Sequence, residues 1–219
     1  MNIHTNIERL PLASSEEYHS IQAIGPQLDR VFTLRYRSYV AEGYIEENQS
    51  KKFMDKHDSQ PSNLSFLTYK DNQLIGSLRA SIYMPNSDYK IPAMDIYEEE
   101  IDSSIGKNRP LVECNKFVID PKHQRRGGIR SRFSMFKNII DTAERVDAAG
   151  ILIAVRSEHI KFYSMLFCNP ISASKRYPGL KFDTTLLLCQ DIKQAKNKIW
   201  SKLGLENKPD DPILNYSIN

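Results

Sequence analysis

The stretch LVECNKFVIDPKHQRRGGIRSRF, Leu111 to Phe133, decides the reading of the fold. Its apolar start reads as a buried strand, and Pro121 ends it because proline cannot donate to a ladder. Gly127 and Gly128 then lead into a helix. From Ile129 onward, Phe133, Phe136, Ile140 and Ala143 recur at steps of three and four, giving one apolar face that ends near Gly150. Exposed amides at a helix start, with glycines permitting close approach, attract an anion. Lys122, Arg125, Arg126, Arg130 and Arg132 crowd that same end. Cations there oppose the helix dipole, and a bound phosphate would relieve the conflict. On glycines and charge alone, a solvated basic turn is an equally good reading.

Downstream, ILIAVR (151–156) is a buried strand, and SEHIKFYSMLF (157–167) reads as a helix with Ser157 as N-cap and Tyr163 on its apolar face. KFDTTLLLCQDI closes the sheet, and a polar tail from 193, carrying Trp200, follows. The two strand–helix–strand crossovers imply locally parallel pairing.

Upstream, LSFLTYK and QLIGSLRASIYM flank Asp71 and Asn72 as a β-hairpin. Residues 85–110 form an insertion with a short helix near Met94 to Glu100. Before the hairpin, EEYHSIQAI suggests a first strand. The next segment, 24–43, suggests a helix with Leu28, Val31, Leu34, Tyr39 and Val40 inward and Gly43 as its stop. The polar stretch 47–63 reads as a long loop. Its acids Asp55 and Asp58 read as solvated, with an acceptor contact as the alternative.

At 219 residues the chain is long enough to bury a core as one domain, 1–219, with its core at about 16–192. The amino terminus lacks a signal pattern and no apolar run reaches membrane length, so a cytoplasmic protein without a membrane span is expected. A net charge of +3 does not argue for nucleic acid. Cys114, Cys168 and Cys189 lack C-x-x-C spacing, so they read as reduced thiols, and no metal is expected.

Glu113 lies on an apolar strand, where a carboxylate must be paired or functional. Burial would raise its pKa toward that of a useful base. An ammonium acceptor must lose a proton before it attacks a thioester, which makes Glu113 the candidate base; an ion pair with Arg79 or Lys116 is the alternative. Cys114 is adjacent but points to the opposite face.

Several motifs in order resemble one group of proteins. They are RYRSYVAEG in the first helix, GSLRA in the hairpin, LVECNKFVIDP, the loop QRRGGI, HIKFYSMLF and RYPGLKFDTTLLLCQDI. Together, over roughly residues 28 to 192, they resemble the N-acyl amino acid synthases and acyl-homoserine lactone synthases of the GNAT superfamily. Ile129 stands where that loop usually ends in glycine or alanine, and Lys116 where arginine is usual.

The resemblance implies an α+β fold (an α/β/α sandwich) with a mixed, largely antiparallel sheet and a V-shaped splay between the central parallel strands. It also implies an acyl-phosphopantetheine donor, from acyl carrier protein or acyl-CoA, and a small amine acceptor such as an amino acid. The donor would lie along Phe117, Val118 and Ile119, with amides of Val118 and Ile119 stabilising the oxyanion. Gln124, Arg125, Arg126, Gly127, Gly128 and Ile129 would face its phosphate. Tyr163 would assist the departing thiolate, with a core tyrosine as the alternative. Arg79, Lys116 and Arg37 would hold the acceptor. Two other readings stay open: an acetyl-CoA-dependent transferase acting on a small amine or protein lysine, and a non-catalytic GNAT-fold module.

Overall fold

A computed structural model describes residues 18–124, 128–177 and 179–206. The hairpin forms as expected. β2 (Asn63–Lys70) and β3 (Gln73–Tyr83) pair antiparallel, and Asp71 and Asn72 both take positive φ, the geometry that two-residue hairpin turns demand. β1 (Tyr18–Gln22) adds to β2, and β4 (Leu111–Ile119) adds to β3. β5 (Gly150–Val155) lies parallel to β4. β8 (Asp183–Cys189) runs antiparallel to β5, and the short β6 (Asn169–Pro170) and β7 (Lys175–Arg176) both pair with β8. The sheet order is β1-β2-β3-β4-β5-β8-β6, so only the first of the two expected parallel crossovers is parallel. The connection from β5 to β8 passes through a short helix and two short strands and returns antiparallel.

Helices cover both faces. α1 (Gln27–Ala41) and α2 (Met94–Ser104) pack on one face. α3 (Gly128–Arg145), α4 (Ile160–Ser164) and α5 (Ile192–Leu203) pack on the other, around Phe133, Phe136, Ile140 and Tyr163. This is the α+β sandwich the sequence implied. α4 is shorter than expected and is entered through a 3-10 turn at Ser157–His159. Arg156, not Ser157, precedes that turn, and no side chain caps it. The stretch read as a polar tail instead supplies α5, N-capped by Asp191 through Gln194 N–H at 2.8 Å. α5 buries Ala195, Ile199 and Trp200 against the main core.

Two features of β4 place the site. First, the β3–β4 register slips between Ser77↔Val118 and Arg79↔Asn115, and Lys116 takes φ +50°. This is a bulge, and it breaks the strict alternation that would otherwise send Lys116 to the face opposite Glu113. Second, β4 and β5 pair only at Leu111↔Gly150, Val112↔Ile151 and Glu113↔Leu152, although they run on to Ile119 and Val155. The two central parallel strands therefore splay apart beyond Glu113.

Candidate active site

Glu113 sits where the splay begins. Its residue is fully buried, and one oxygen, Oε2, accepts the Ala93 N–H at 2.8 Å; Oε1 has no hydrogen-bond partner. Burial pushes its pKa from 4.5 up to about 7, against the lowering influence of the Ala93 amide and the Arg79 guanidinium. Among the described residues Glu113 forms no ion pair with Arg79 or Lys116. A carboxylate in this setting gives up its proton near neutrality, the range in which a general base works best.

Around it lies a buried charge network. Arg79 on β3 is fully buried, donating from Nε to Asn115 at 2.6 Å and from Nη1 and Nη2 to both Asp55 oxygens at 2.7 and 3.0 Å. Its Nη1 also lies 2.8 Å from Asp58. Arg35, buried on α1, donates to Asp58 at 2.6 Å and to Ser65 at 3.0 Å. Lys116 Nζ lies 3.1 Å from Asp55 and 4.3 Å above the Phe53 ring. Burial pulls the Lys116 ammonium down to about 8, against the raising influence of Asp55. Burial alone would push Asp55 and Asp58 up, but their cationic partners hold both below the usual carboxylate range.

Asp55 and Asp58 are thus not solvated loop acids. Asp58 has a 1% exposed side chain, and the long loop folds inward to neutralise three cations from three different elements. No sequence motif marks Arg35 as part of this site. Its signal was its place among Val31, Phe32 and Leu34 on the helix face that turned out buried.

Other expected residues lie elsewhere. Arg37 is on the outward side of α1 and pairs with Asp120 just past β4, away from the Arg79 network. Asp120 also shapes the turn after β4, accepting the N–H of Lys122 on its side chain at 3.0 Å and the N–H groups of His123 and Gln124 on its carbonyl. Phe117 packs partly buried on the main core, and Val118 and Ile119 are buried. Among the described residues the β5-facing edge of these residues has no strand partner. Gln124 is exposed in the turn, Gly128 opens α3 with φ +53°, and Ile129 is 40% exposed. Arg125, Arg126 and Gly127 lie outside the described residues.

Tyr163 packs against Phe136 and Phe162 in the cluster that also holds Cys114, on the opposite face of β4 from Glu113; burial raises its hydroxyl well above the usual range. The three cysteines are buried free thiols. Among the described residues no cluster of metal-ligating side chains occurs, and no helix is long and apolar enough to cross a membrane.

The fold matches known structures. FeeM, an N-acyl amino acid synthase from uncultured soil microbes, superimposes with a TM-score of 0.67 at 18% identity, covering 84% of this chain and 95% of that one. MesI, a CoA-dependent acyl-homoserine lactone synthase, gives a TM-score of 0.59 at 16% identity over 92% of this chain and 100% of its own. A GNAT-family protein from Desulfovibrio desulfuricans gives 0.51 at 9% identity over 80% and 99%. No curated protein matches the sequence. The family model for the N-acyl amino acid synthase FeeM matches residues 30–190. That span is most of the chain and contains the whole charge network, Glu113 and Tyr163, so the chain belongs to the FeeM family of N-acyl amino acid synthases, which are acyltransferases, and has a GNAT-like fold.

Proposed function

We propose that this protein transfers an acyl group from a phosphopantetheine thioester, carried by acyl carrier protein or CoA, to the amine of an amino acid, with Glu113 as the base. The observation that carries this reading is the position of Glu113: a buried carboxylate with one free oxygen and a pKa of about 7, at the last residue pair before β4 and β5 part.

In this reading the pantetheine arm enters the gap between the strands and bonds to amides of the unpaired β4 edge near Val118 and Ile119. Its phosphate faces the turn from Gln124 through Arg125, Arg126, Gly127 and Gly128 to Ile129. The exposed cations Lys122 and Arg130 would suit an acidic carrier protein. The acceptor's carboxylate is drawn to the net positive charge of the Arg35, Arg79 and Lys116 cluster, which Asp55 and Asp58 only partly cancel. Arg37 steadies the donor turn through Asp120.

Glu113 takes a proton from the acceptor ammonium. The freed amine attacks the thioester carbonyl, the tetrahedral oxyanion collapses as the C–S bond breaks, and the thiolate leaves with a proton from Tyr163; the second proton on the nitrogen restores the phenol, and Glu113 returns its proton to solvent. Transfer rates from long-chain acyl carrier protein and from CoA thioesters, measured from pH 5.5 to 9, test this. The rate should rise with pH through about 7 in wild-type protein, and a flat profile would sink the role of Glu113.

A further inference from the structure

His57 belongs to neither the expected site nor the reaction above, yet it joins the parts of the site to each other. It is 4% exposed in the inward-folded loop. Its backbone N–H donates to Asp55 Oδ1 at 3.0 Å, so its position fixes the carboxylate that Arg79 and Lys116 share. Its ring Nε2 lies 3.0 Å from Asp95 Oδ2 in the first turn of α2, and Lys56 Nζ lies 2.9 Å from the same oxygen. Asp95 is two residues beyond Ala93, whose N–H holds Glu113.

A second route links the same groups. Arg79 Nε has only a proton to give, so the Asn115 oxygen faces it and the Asn115 nitrogen donates to Ser81 at 2.9 Å. Ser81 bonds Asn63, Asn63 Nδ2 donates to Gln60 at 3.3 Å, and Gln60 Oε1 meets His57 Nδ1 at 3.3 Å. Ser81 is the direct cross-strand partner of Glu113.

We propose that His57 is a positioning residue for the candidate base: its contact with Asp95 pins the acidic loop to the start of α2 and so fixes Asp55 and its cations relative to Glu113. The assignment rests on the reading of Glu113 as the site's central carboxylate. The groups facing His57 are Asp95, Lys56, Asp55 and Gln60. Those acting on Glu113 are Arg79 from β3, Asp55 from the loop, Asn115 from β4, the Ala93 amide before α2, and the phenol of Tyr177 from the segment after β7. Asp55 raises Glu113 and Arg79 lowers it, so a loop that slides away leaves the cations uncompensated and Glu113 more acidic.

The test is a carboxyl carbon-13 NMR titration of the full-length protein, with the Glu113 resonance assigned from Glu113→Gln. His57→Ala and Asp95→Asn, which break the contact from either side, should each move the Glu113 titration down by about half a pH unit or more, and the double variant no further than either alone. His57→Gln, which keeps a donor toward Asp95, should restore most of the shift. A Glu113 titration that stays in place in both single variants overturns the proposal, as does failure of both to fold, which would make the contact purely structural. Because the titration needs no turnover, a Glu113→Gln protein that still transferred acyl groups would refute the base role and leave this result readable.

Discussion

Replacing Glu113 by glutamine should remove activity and at the same time make the protein more stable at alkaline pH. The carboxyl has a folded value of about 7 against an ordinary 4.5, so between those two values the folded chain holds a proton that the unfolded chain has released. The stability this confers is fully present below 4.5 and is lost as pH rises through about 7. At about 1.36 kcal/mol per pH unit the loss is about 3 kcal/mol. Glutamine imitates the protonated acid, keeps an oxygen for the Ala93 N–H, and does not titrate. Urea denaturation at pH 5 should find Glu113→Gln ahead of wild type by only about 1 kcal/mol, because most of the loss lies between pH 5 and 7. At pH 8 the variant should be more stable by about 3 kcal/mol, or about 6–12 °C in Tm for a chain of this size. Acyl transfer should fall at least ~100-fold at pH 8, where the wild-type carboxylate is ionised, and by less at pH 5, where wild-type Glu113 is itself largely protonated. A stability offset that does not change between pH 5 and pH 8 would refute the reasoning.

Three further outcomes follow from the packing. Asp58→Asn leaves the fully buried Arg35 and Arg79 short of a counter-charge and should cost about 3–5 kcal/mol in chemical denaturation. At Gly76 an added Cβ would lie 2.7 Å from both the Val118 carbonyl and Met135 Sδ, so Gly76→Ala should cost about 1–3 kcal/mol and, by shifting β4 at Val118, raise KM for the acyl donor more than for the acceptor. Trp200→Ala should cost about 3–5 kcal/mol in thermal or urea unfolding, because the C-terminal helix carries this side chain into the main core.

Local chemistry made much of the fold legible. The hairpin was readable because Asp71 and Asn72 accept positive φ between apolar runs, and α3 because Phe133, Phe136, Ile140 and Ala143 hold helical period. The unread parts depend on distant partners. The α1 stripe through Leu28, Val31, Leu34, Tyr39 and Val40 holds at Val31 and Leu34, while Leu28, Tyr39 and Val40 are only half-buried; the deep face also takes in Phe32, Arg35, Tyr36 and Ser38. An arginine enters that face because Asp58 meets it from a loop 23 residues away. Asp55 and Asp58 looked solvated for the same reason: nothing nearby in sequence announces Arg79. The bulge at Lys116 has no glycine to signal it. α5 reads as a tail because it buries so few of its residues, and β8 runs antiparallel to β5 because the chain first places β6 beyond it and then returns between the two.

Glu113 was legible as a misplaced carboxylate on an apolar strand. Its hydrogen bond to Ala93 was not, because the insertion that supplies Ala93 carries no motif. Tyr163 was legible as a helix-face tyrosine, while its separation from Glu113 by the thickness of β4 followed only once Cys114 and Tyr163 were seen in one cluster.

The most direct measurement is product mass after purified protein is incubated with long-chain acyl carrier protein or CoA thioesters and a pool of amino acids, alongside Glu113→Gln. The account predicts an N-acyl amino acid from the wild-type protein and at least ~100-fold less from the variant. It would be contradicted by a wild-type protein that makes no N-acyl product from any donor and acceptor pair, or by a variant that makes it at the wild-type rate.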